Sequence, residues 1–201
     1  MRNYLIITLI FISLNVKGQD DYVIEINGKK QNISLDKKYE LSINGKIIDF
    51  IVSAKDTFTY VDDFYSFQHL KDYMVSKMQI DEGIEQIMLM TAEGSGVLIQ
   101  KYSTINPTML NEMMLKEVTK ESLNYGFKLN RIDYQRTLRS GQSIVVNKAI
   151  LTYNNETNIY EIASIGQKDA GIIIMTIIMD ENRSNQGRKI IDLMWNSLIY
   201  K

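Results

Sequence analysis

The 201-residue sequence contains no cysteine, and this absence excludes several classes of protein. A disulfide-stabilised scaffold, a thiolate nucleophile and a cysteine-ligated zinc site all require a thiol. Only one histidine is present, His69, so any Ser-His-Asp triad would have to include it. His69 lies between predicted strands, and no G-x-S-x-G motif supplies a nucleophilic serine. We therefore predict a loop or edge histidine, no catalytic residues, no metal site and no cofactor.

Proline and net charge are also scarce: the chain has one proline, and 23 basic residues balance 24 acidic ones. A basic face would be needed to attract nucleic acid or an anionic membrane, so we predict neither as a partner. Hydrophobic residues make up 45% of the chain, which is typical of one compact globular unit.

The first residues, MRNYLIITLIFISLNVKGQD, have the pattern of a targeting signal. Arg2 is followed by an apolar run that is short for a membrane span, and Gly18 precedes a polar stretch. We predict a signal peptide over residues 1–18 that is cleaved before Gln19. The mature protein is then periplasmic or secreted, and an uncleaved anchor is the alternative. Export without cysteine favours a bacterial envelope.

Residues 19–62 contain the phrase I-N-G-K twice, at Asn27-Gly28 and Asn44-Gly45. Each pair is flanked by alternating apolar and polar residues, the pattern of half-buried strands. Asn-Gly favours a type I′ turn because both residues tolerate positive φ. We predict an N-terminal segment of two β-hairpins.

Residues 63–201 read as strands and two helices. Strands are predicted around Tyr65–Gln68 and Tyr73–Gln79, in IEQIMLM and GVLIQKY, and in four later segments that end with AGIIIMTIIM. One helix is predicted from Asn106-Pro107 to Gly126 and another in SNQGRKIIDLMWNSLIYK. The predicted inward positions are Leu110, Met113, Met114, Val118 and Tyr125 in the first helix, and Ile190, Ile191, Met194, Trp195 and Leu198 in the second. This order predicts an α+β fold with a mainly antiparallel sheet.

From about residue 63 onward the sequence resembles the PsbP-like family. The resemblance rests on FYSFQHLKDYMVS, the GVLIQKYS strand, the helix near Pro107, a strand meander led by Gly141-Gln142, and the terminal IIDLMWNSL. The proline that usually follows the opening strand is replaced by Gln68-His69. The resemblance implies an α/β/α sandwich and a protein partner, because family members are mostly non-catalytic binding proteins.

Three acidic residues are the candidates for a carboxylate-dependent hydrolase: Asp62, Asp63 and Asp180. Adjacent strand residues point to opposite faces, so Asp62 and Asp63 are better explained as solvated strand ends. Asp180 begins DENRSN, which partly matches a calcium loop but lacks its glycine and its final glutamate. A polar turn that caps the last helix is the favoured interpretation. Gly94-Ser95-Gly96 is interpreted as a hairpin turn.

Methionine and tyrosine are plentiful, and both residue types occur at binding surfaces. The methionines Met88, Met90, Met109, Met113 and Met114 are interpreted mainly as core, and a small apolar ligand between sheet and helix is the alternative. The aromatic residues Tyr60, Phe64, Tyr65 and Tyr73 are the predicted partner-binding residues.

These observations lead to one functional hypothesis and two alternatives. The hypothesis is an exported, non-catalytic protein-binding module of the bacterial periplasm, such as an envelope assembly factor or an immunity protein against a secreted toxin. The alternatives are the carboxylate-dependent envelope hydrolase and the carrier of a small apolar ligand.

Overall fold

The computed structural model describes residues 22–43 and 45–201. The chain divides into two compact units, the first of which ends at Ala54 and the second of which runs from Lys55 to Lys201. The predicted signal peptide and its cleavage site before Gln19 lie outside the described residues. Neither helix in the described part has the length and apolar content that a membrane-spanning helix requires.

The first unit consists of two β-hairpins, as predicted. Strands β1 (Tyr22–Ile26) and β2 (Lys29–Ile33) pair antiparallel, as do β3 (Lys38–Ile43) and β4 (Lys46–Ile51). Asn27 and Gly28 have φ values of 50° and 76°, the positive pair that a type I′ turn requires. Gly45 also has positive φ, at 77°. The first I-N-G-K phrase is therefore a turn, and Gly45 of the second has the same left-handed backbone, which glycine and asparagine adopt more readily than other residues.

The second unit begins earlier than residue 63, because the strand before it pairs with a strand of that unit. Thr57 of β5 pairs with Leu70 of β6, which joins residues 55–62 to the second unit. The strands of this unit are β5 (Thr57–Val61), β6 (Tyr65–Leu70), β7 (Ser76–Asp81), β8 (Ile84–Met90), β9 (Gly96–Tyr102), β10 (Lys128–Arg131), β11 (Tyr134–Thr137), β12 (Ser143–Tyr153), β13 (Glu156–Gln167), β14 (Ala170–Ile178) and β15 (Ile199–Tyr200). The helices are α1 (Asn111–Tyr125) and α2 (Asn185–Ser197).

Two antiparallel sheets are present in this unit. The large sheet has the order β10-β12-β13-β14-β9-β8-β7, with β11 also paired to β12, and the small sheet has the order β15-β6-β5. Between α1 and α2, five strands replace the four predicted, because β10 and β11 pair separately with β12. The strand expected from Tyr73 begins at Ser76, and the short β15 was not predicted.

The large sheet is the middle layer of an α/β/α sandwich, which confirms the predicted α+β fold class. Neighbouring residues on β14 point to opposite faces: Ile173 belongs to the core under α1, and Ile174 to the core under α2. Helix α1 packs on β12 and β13, while α2 packs on β9, β14 and β6. Both faces of β14 are buried, as predicted for a central strand.

Helix α1 ends at Gly126 as predicted, but Asn106 caps the 3₁₀ turn before it, and α1 itself begins after Leu110 without a side-chain cap. It also buries a different set of residues from the predicted one. The Asn106 side chain accepts a hydrogen bond from the Thr108 N–H at 3.1 Å, and Gly126 ends the helix with a φ of 109°. The prediction that Met113 and Tyr125 face inward is wrong, since their exposed fractions are 57% and 71%. The first turn, Pro107–Met109, is a 3₁₀ helix and not an α-helix, so α1 begins at Asn111 rather than at the predicted Pro107.

Helix α2 follows the prediction closely. All five predicted inward residues are buried: Ile190, Ile191, Met194, Trp195 and Leu198. Its first turn rests on the hairpin turn between β8 and β9, where Ser95 Oγ lies 2.8 Å from Ser184 Oγ and accepts from the Met179 N–H at 2.9 Å. A Cβ at Gly187 would lie 2.4 Å from the Cβ of Ser95, so glycine allows this close approach.

Candidate functional site

The four predicted partner-binding aromatics lie at the edge of the core, and one of them is inside it. Tyr65 is only 1% exposed, so its side chain has no surface to offer a partner. Its inclusion in the predicted surface is corrected for that reason. Tyr60, Phe64 and Tyr73 are partly buried against the same core. Whether these three residues bind a partner stays a prediction.

Next to these aromatics, Asp62 is part of a buried ion-pair network rather than a solvated strand end. Lys101 Nζ lies 3.0 Å from Asp62 Oδ2 and 2.8 Å from Glu85 Oε1, and Lys77 Nζ lies 2.9 Å from Glu85 Oε2. Hydrogen bonds from Lys101 and then from Lys77 hold the pKa of Glu85 below its usual range. Asp63, in contrast, is exposed. This network joins the large sheet to the loop between β5 and β6.

The acidic residues proposed for a hydrolase are not brought together. Lys101, which forms the ion pair with Asp62, lies opposite Ile172 near the start of the neighbouring strand β14. Asp180 lies two residues beyond Ile178, the other end of β14. The strand rises about 20 Å over the six residues from Ile172 to Ile178, so Asp62 and Asp180 are far apart. Asp180 instead forms an ion pair with Arg183 at 3.1 Å in a turn where its φ is 50°. Within the described residues, no group of three His, Cys, Asp or Glu side chains could hold a metal ion.

His69 lies within β6, where the strand pairs with β5 alone, so of the predicted loop or edge position the structure has the edge. Its Nδ1 is 3.0 Å from the carbonyl oxygen of Leu70 and 3.1 Å from that of Tyr73. Because a carbonyl oxygen only accepts, Nδ1 carries the proton and donates. The ring is thus used to hold the backbone that follows β6.

The five methionines do not line one cavity. Met109 and Met113 are 84% and 57% exposed, while Met88 and Met90 lie on β8. The alternative of an apolar-ligand carrier required these methionines to line one cavity between sheet and helix, and they do not.

A charged cleft of about 270 Å³ lies between α2 and the large sheet. We call it the α2 cleft. It is lined by residues of β11 to β14, the turn after β14, and α2: Tyr134, Arg136, Lys148, Ile159, Glu161, Thr176, Ile178, Glu181, Arg188, Ile191, Asp192 and Trp195. Such a mixture of charged and apolar groups in a concave site is characteristic of ligand-binding pockets.

Glu161 is the buried acid of the α2 cleft, and its carboxylate is fully engaged. Tyr134 OH donates to Oε1 at 3.1 Å, Thr176 Oγ1 donates to Oε2 at 3.2 Å, and Lys148 Nζ lies 3.3 Å from Oε1. Burial, and then the charge of Glu161, raise the pKa of Tyr134. The Tyr134 hydroxyl thus serves as a hydrogen-bond donor to the buried carboxylate.

Arg136 is held differently, between two aromatic rings. Its guanidinium carbon lies 4.9 Å from the centre of the Trp195 ring and 5.9 Å from that of Tyr134. Its Nε is buried without a hydrogen-bond partner among the described residues, and the same is true of Trp195 Nε1. Two N–H donors of the α2 cleft are therefore unsatisfied.

On the opposite face of the sheet, three aromatic side chains form a cluster that we call the tyrosine platform: Tyr125, Phe127 and Tyr153. The ring centres of Tyr125 and Phe127 each lie 5.4 Å from that of Tyr153. Tyr125 is 71% exposed and Tyr153 is 37% exposed. Depressions of about 350, 330 and 440 Å³ adjoin the platform, and Glu121 and Glu156 contribute to their walls.

Sequence reasoning found neither the α2 cleft nor the tyrosine platform, although part of each signal was present. Tyr134 and Arg136 alternate on β11, so they share a face, and Trp195 was correctly placed on the inward side of α2. Tyr125 and Phe127 flank the capping Gly126, so two aromatic residues were known to lie together at the end of one helix. The meeting of these residues depends on strand order, which the sequence did not reveal.

No family model and no curated protein sequence matches the chain. Among solved structures, the chain is similar to the solution structure of cyanobacterial PsbP (CyanoP) from Synechocystis sp. PCC 6803. The match has 12% sequence identity and a TM-score of 0.47, and it covers 75% of this chain and 95% of that one. A likeness at this level concerns the fold alone. Membership of the PsbP-like family stays a prediction.

Proposed function

We propose that the protein is a non-catalytic binding module whose protein partner docks on the tyrosine platform. One observation carries the proposal: Tyr125 is 71% exposed at the end of α1, yet its ring is fixed edge-on against Tyr153. Tyrosine is enriched at the centres of protein interfaces because it combines a large apolar ring with a polar tip. A ring that is already held loses little conformational entropy on binding.

The surroundings of the platform favour a partner with a particular chemistry. The depressions next to Tyr125 and Tyr153 can receive projecting side chains. Asp180 and Arg183 pair with each other there, and Glu121 and Glu156 outnumber Lys128, the remaining cation of their described walls. Lys or Arg side chains would find both aromatic faces and carboxylates there. We expect the partner to insert a basic or long aliphatic residue beside Tyr125.

Export to the bacterial periplasm is part of this proposal. It is supported by the signal-like pattern of residues 1–18 and by the absence of cysteine. An envelope assembly factor and an immunity protein against a secreted toxin both fit a rigid sandwich that presents one aromatic surface. The identity of the captured partner distinguishes them, because a toxin and an assembly client differ in sequence and activity.

Site-specific photo-crosslinking in the native envelope tests the proposal. A photoreactive phenylalanine replaces Tyr125, and in the control it replaces Met74, which is 88% exposed and lies between β6 and β7. We expect one protein to crosslink from position 125 and not from position 74. In an affinity pull-down, Tyr153→Ala should lose that protein, whereas Tyr73→Ala should retain it.

Two results would contradict the proposal. If the crosslinked protein were the same at positions 74 and 125, the contact would be non-specific. If Tyr73→Ala abolished capture and Tyr153→Ala did not, the partner surface would be the one predicted from the sequence.

A further inference from the structure

We propose that the α2 cleft binds a small organic carboxylate through the guanidinium of Arg136 and the indole N–H of Trp195. This site lies on the opposite face of the sheet from the tyrosine platform and does not depend on it. The inference rests on unsatisfied donors, on the balance of charge in the cleft and on its size.

The first observation is the pair of unsatisfied donors. Trp195 is 2% exposed, and its Nε1–H has no acceptor in the described part of the chain. Arg136 Nε is also buried and also has no acceptor among the described residues. The two side chains are in contact, with the guanidinium carbon of Arg136 4.9 Å from the centre of the indole ring. Buried polar groups nearly always have partners, so two neighbouring orphan donors indicate a missing acceptor. An indole N–H can only donate, so the missing group must accept.

The second observation is the balance of charge. Lys148 is already matched by Glu161, and Arg188 by Glu181. Arg136 forms no ion pair with any described carboxylate, including the exposed Asp192 at the rim of the cleft. The positive charge of Arg136 is therefore available to a ligand. Its planar guanidinium group suits the two oxygens of a carboxylate.

The third observation concerns the rest of the ligand. Among the described residues that line the cleft, Arg136 is the one cation outside these ion pairs, so the second negative charge of a dianion such as phosphate would lack a partner and would meet Asp192. Ile159, Ile178 and Ile191 offer apolar wall. A volume of about 270 Å³ equals that of about nine water molecules, enough for a short aliphatic chain. The ligand is thus a monocarboxylate with a small apolar body.

The competing explanation is ordered water, which would satisfy both donors without any ligand. A binding measurement separates the two, and the chain offers a convenient reporter because Trp195 is its only tryptophan. Fluorescence excited selectively at tryptophan, and not at the 12 tyrosines, therefore reports on the α2 cleft.

The titration uses butyrate, with its ethyl ester as the neutral control and sodium phosphate as the dianion control. A second arm uses N-acetyl-alanyl-alanine and its C-terminal amide, which separates a free acid from the carboxylate end of a peptide. We expect saturable fluorescence changes with butyrate up to about 10 mM and none with the ester. A saturable change with the acetylated dipeptide alone would assign the carboxylate to a peptide end.

Variants locate the site. Arg136→Gln should weaken carboxylate binding about tenfold or more, and Arg139→Gln, an exposed arginine in the turn after β11, should leave binding unchanged. Trp195→Phe keeps an aromatic ring and removes the N–H, so we expect calorimetry to show binding weakened about threefold to tenfold. If Arg136→Gln impairs folding, Trp195→Phe and Arg136→Lys provide the same test with smaller changes.

Three outcomes would overturn the inference. An absence of saturable binding by both carboxylates would mean that water satisfies the donors. Equal responses to butyrate and its ester would indicate an apolar pocket, and equal loss in the Arg136 and Arg139 variants would indicate non-specific attraction.

Discussion

The two faces of the large sheet are built from the same strands but are covered very differently. The face under α2 carries the larger core, to which Tyr65 and Phe67 of the small sheet also contribute. The face under α1 has fewer buried residues, and α1 itself buries only Leu115 and Thr119. One helix and a second sheet thus cover the first face, while a single weakly amphipathic helix covers the second.

This difference explains where exposed and buried groups end up. Under α2 the polar side chains are enclosed, so they must find partners in networks such as that of Lys101 or leave donors for a ligand, as Arg136 does. Around α1 the incomplete cover leaves aromatic side chains such as Tyr125 at the surface. The face under α2 is therefore suited to enclosing a small molecule, and the face under α1 is suited to docking a protein.

The largest loss of stability should come from creating a cavity in the core under α2. We expect Ile190→Ala in α2 to lower the free energy of unfolding by about 4 kcal/mol and Leu115→Ala in α1 to lower it by about 2–3 kcal/mol. Ile190 lies fully buried in the larger core, to which both sheets contribute, whereas Leu115 lies in the smaller core, where we expect more relaxation around the cavity. Urea unfolding measures both values. An equal or reversed order would show that the two faces are equally well packed.

A slightly smaller effect is expected at the ion-pair network of the α2 face. Lys101→Met leaves Asp62 and Glu85 without their shared cation, and the Asp62 side chain is only 6% exposed. We expect a loss of about 3 kcal/mol in the free energy of unfolding. Lys77→Met is the matched control, because Lys77 is 46% exposed and should cost less than about 1 kcal/mol. Similar losses in the two variants would mean that burial does not matter here.

At the edge of the α1 face, ion pairs should give a weaker, pH-dependent effect. Arg131 bonds to Asp133 at 2.9 Å and also to Glu112 of α1. The hydrogen bond from Arg131 holds the pKa of Asp133 below its usual range, and the same partner lowers the pKa of Glu112. A carboxylate with a lowered folded-state pKa stabilises the fold above its unfolded pKa of about 4, and this stability is lost as pH falls through the folded value.

Urea midpoints at pH 7 and pH 3 measure this contribution. Both carboxylates are well exposed, so solvent screening should keep it below about 1 kcal/mol. Asp133→Asn should reduce the difference between the two midpoints. An unchanged difference would assign the acid sensitivity to other carboxylates, such as Glu85.

The smallest effect on stability is expected at the tyrosine platform. Tyr125→Ala should change the free energy of unfolding by no more than about 0.5 kcal/mol, because the side chain is 71% exposed. Its proposed effect is on binding alone. A large loss of stability would show that Tyr125 is a packing residue that secures α1, and it would remove the distinction between the two faces.

Periodicity and turn chemistry were enough to predict most of the elements. Helix α2 was predicted with its inward residues because apolar positions recur at three and four residues around Ile190. The Asn27-Gly28 hairpin was predicted because few residue pairs tolerate two positive φ values. Prediction failed on α1, where Met113 continued an apolar pattern but points to solvent.

The candidate sites were much less predictable than the elements. Asp62 was interpreted as a solvated strand end because nothing local indicates that Lys101, 39 residues later, meets it. Tyr65 was placed on a surface for the same reason, since composition alone cannot separate a core tyrosine from an exposed one. Side-chain identity was known in each case, but the neighbours were not.

The sequence alone determined the local features of this protein: where strands alternate, where the backbone turns, where α1 ends, and which face of α2 is apolar. These features depend on residues within a few positions of one another. The tertiary structure decided the strand order of the large sheet, and with it the meeting of Arg136 with Trp195 and of Tyr125 with Tyr153. Sheet pairing joins residues that are far apart in the chain, and many registers satisfy the same alternation, so only the folded molecule selects one.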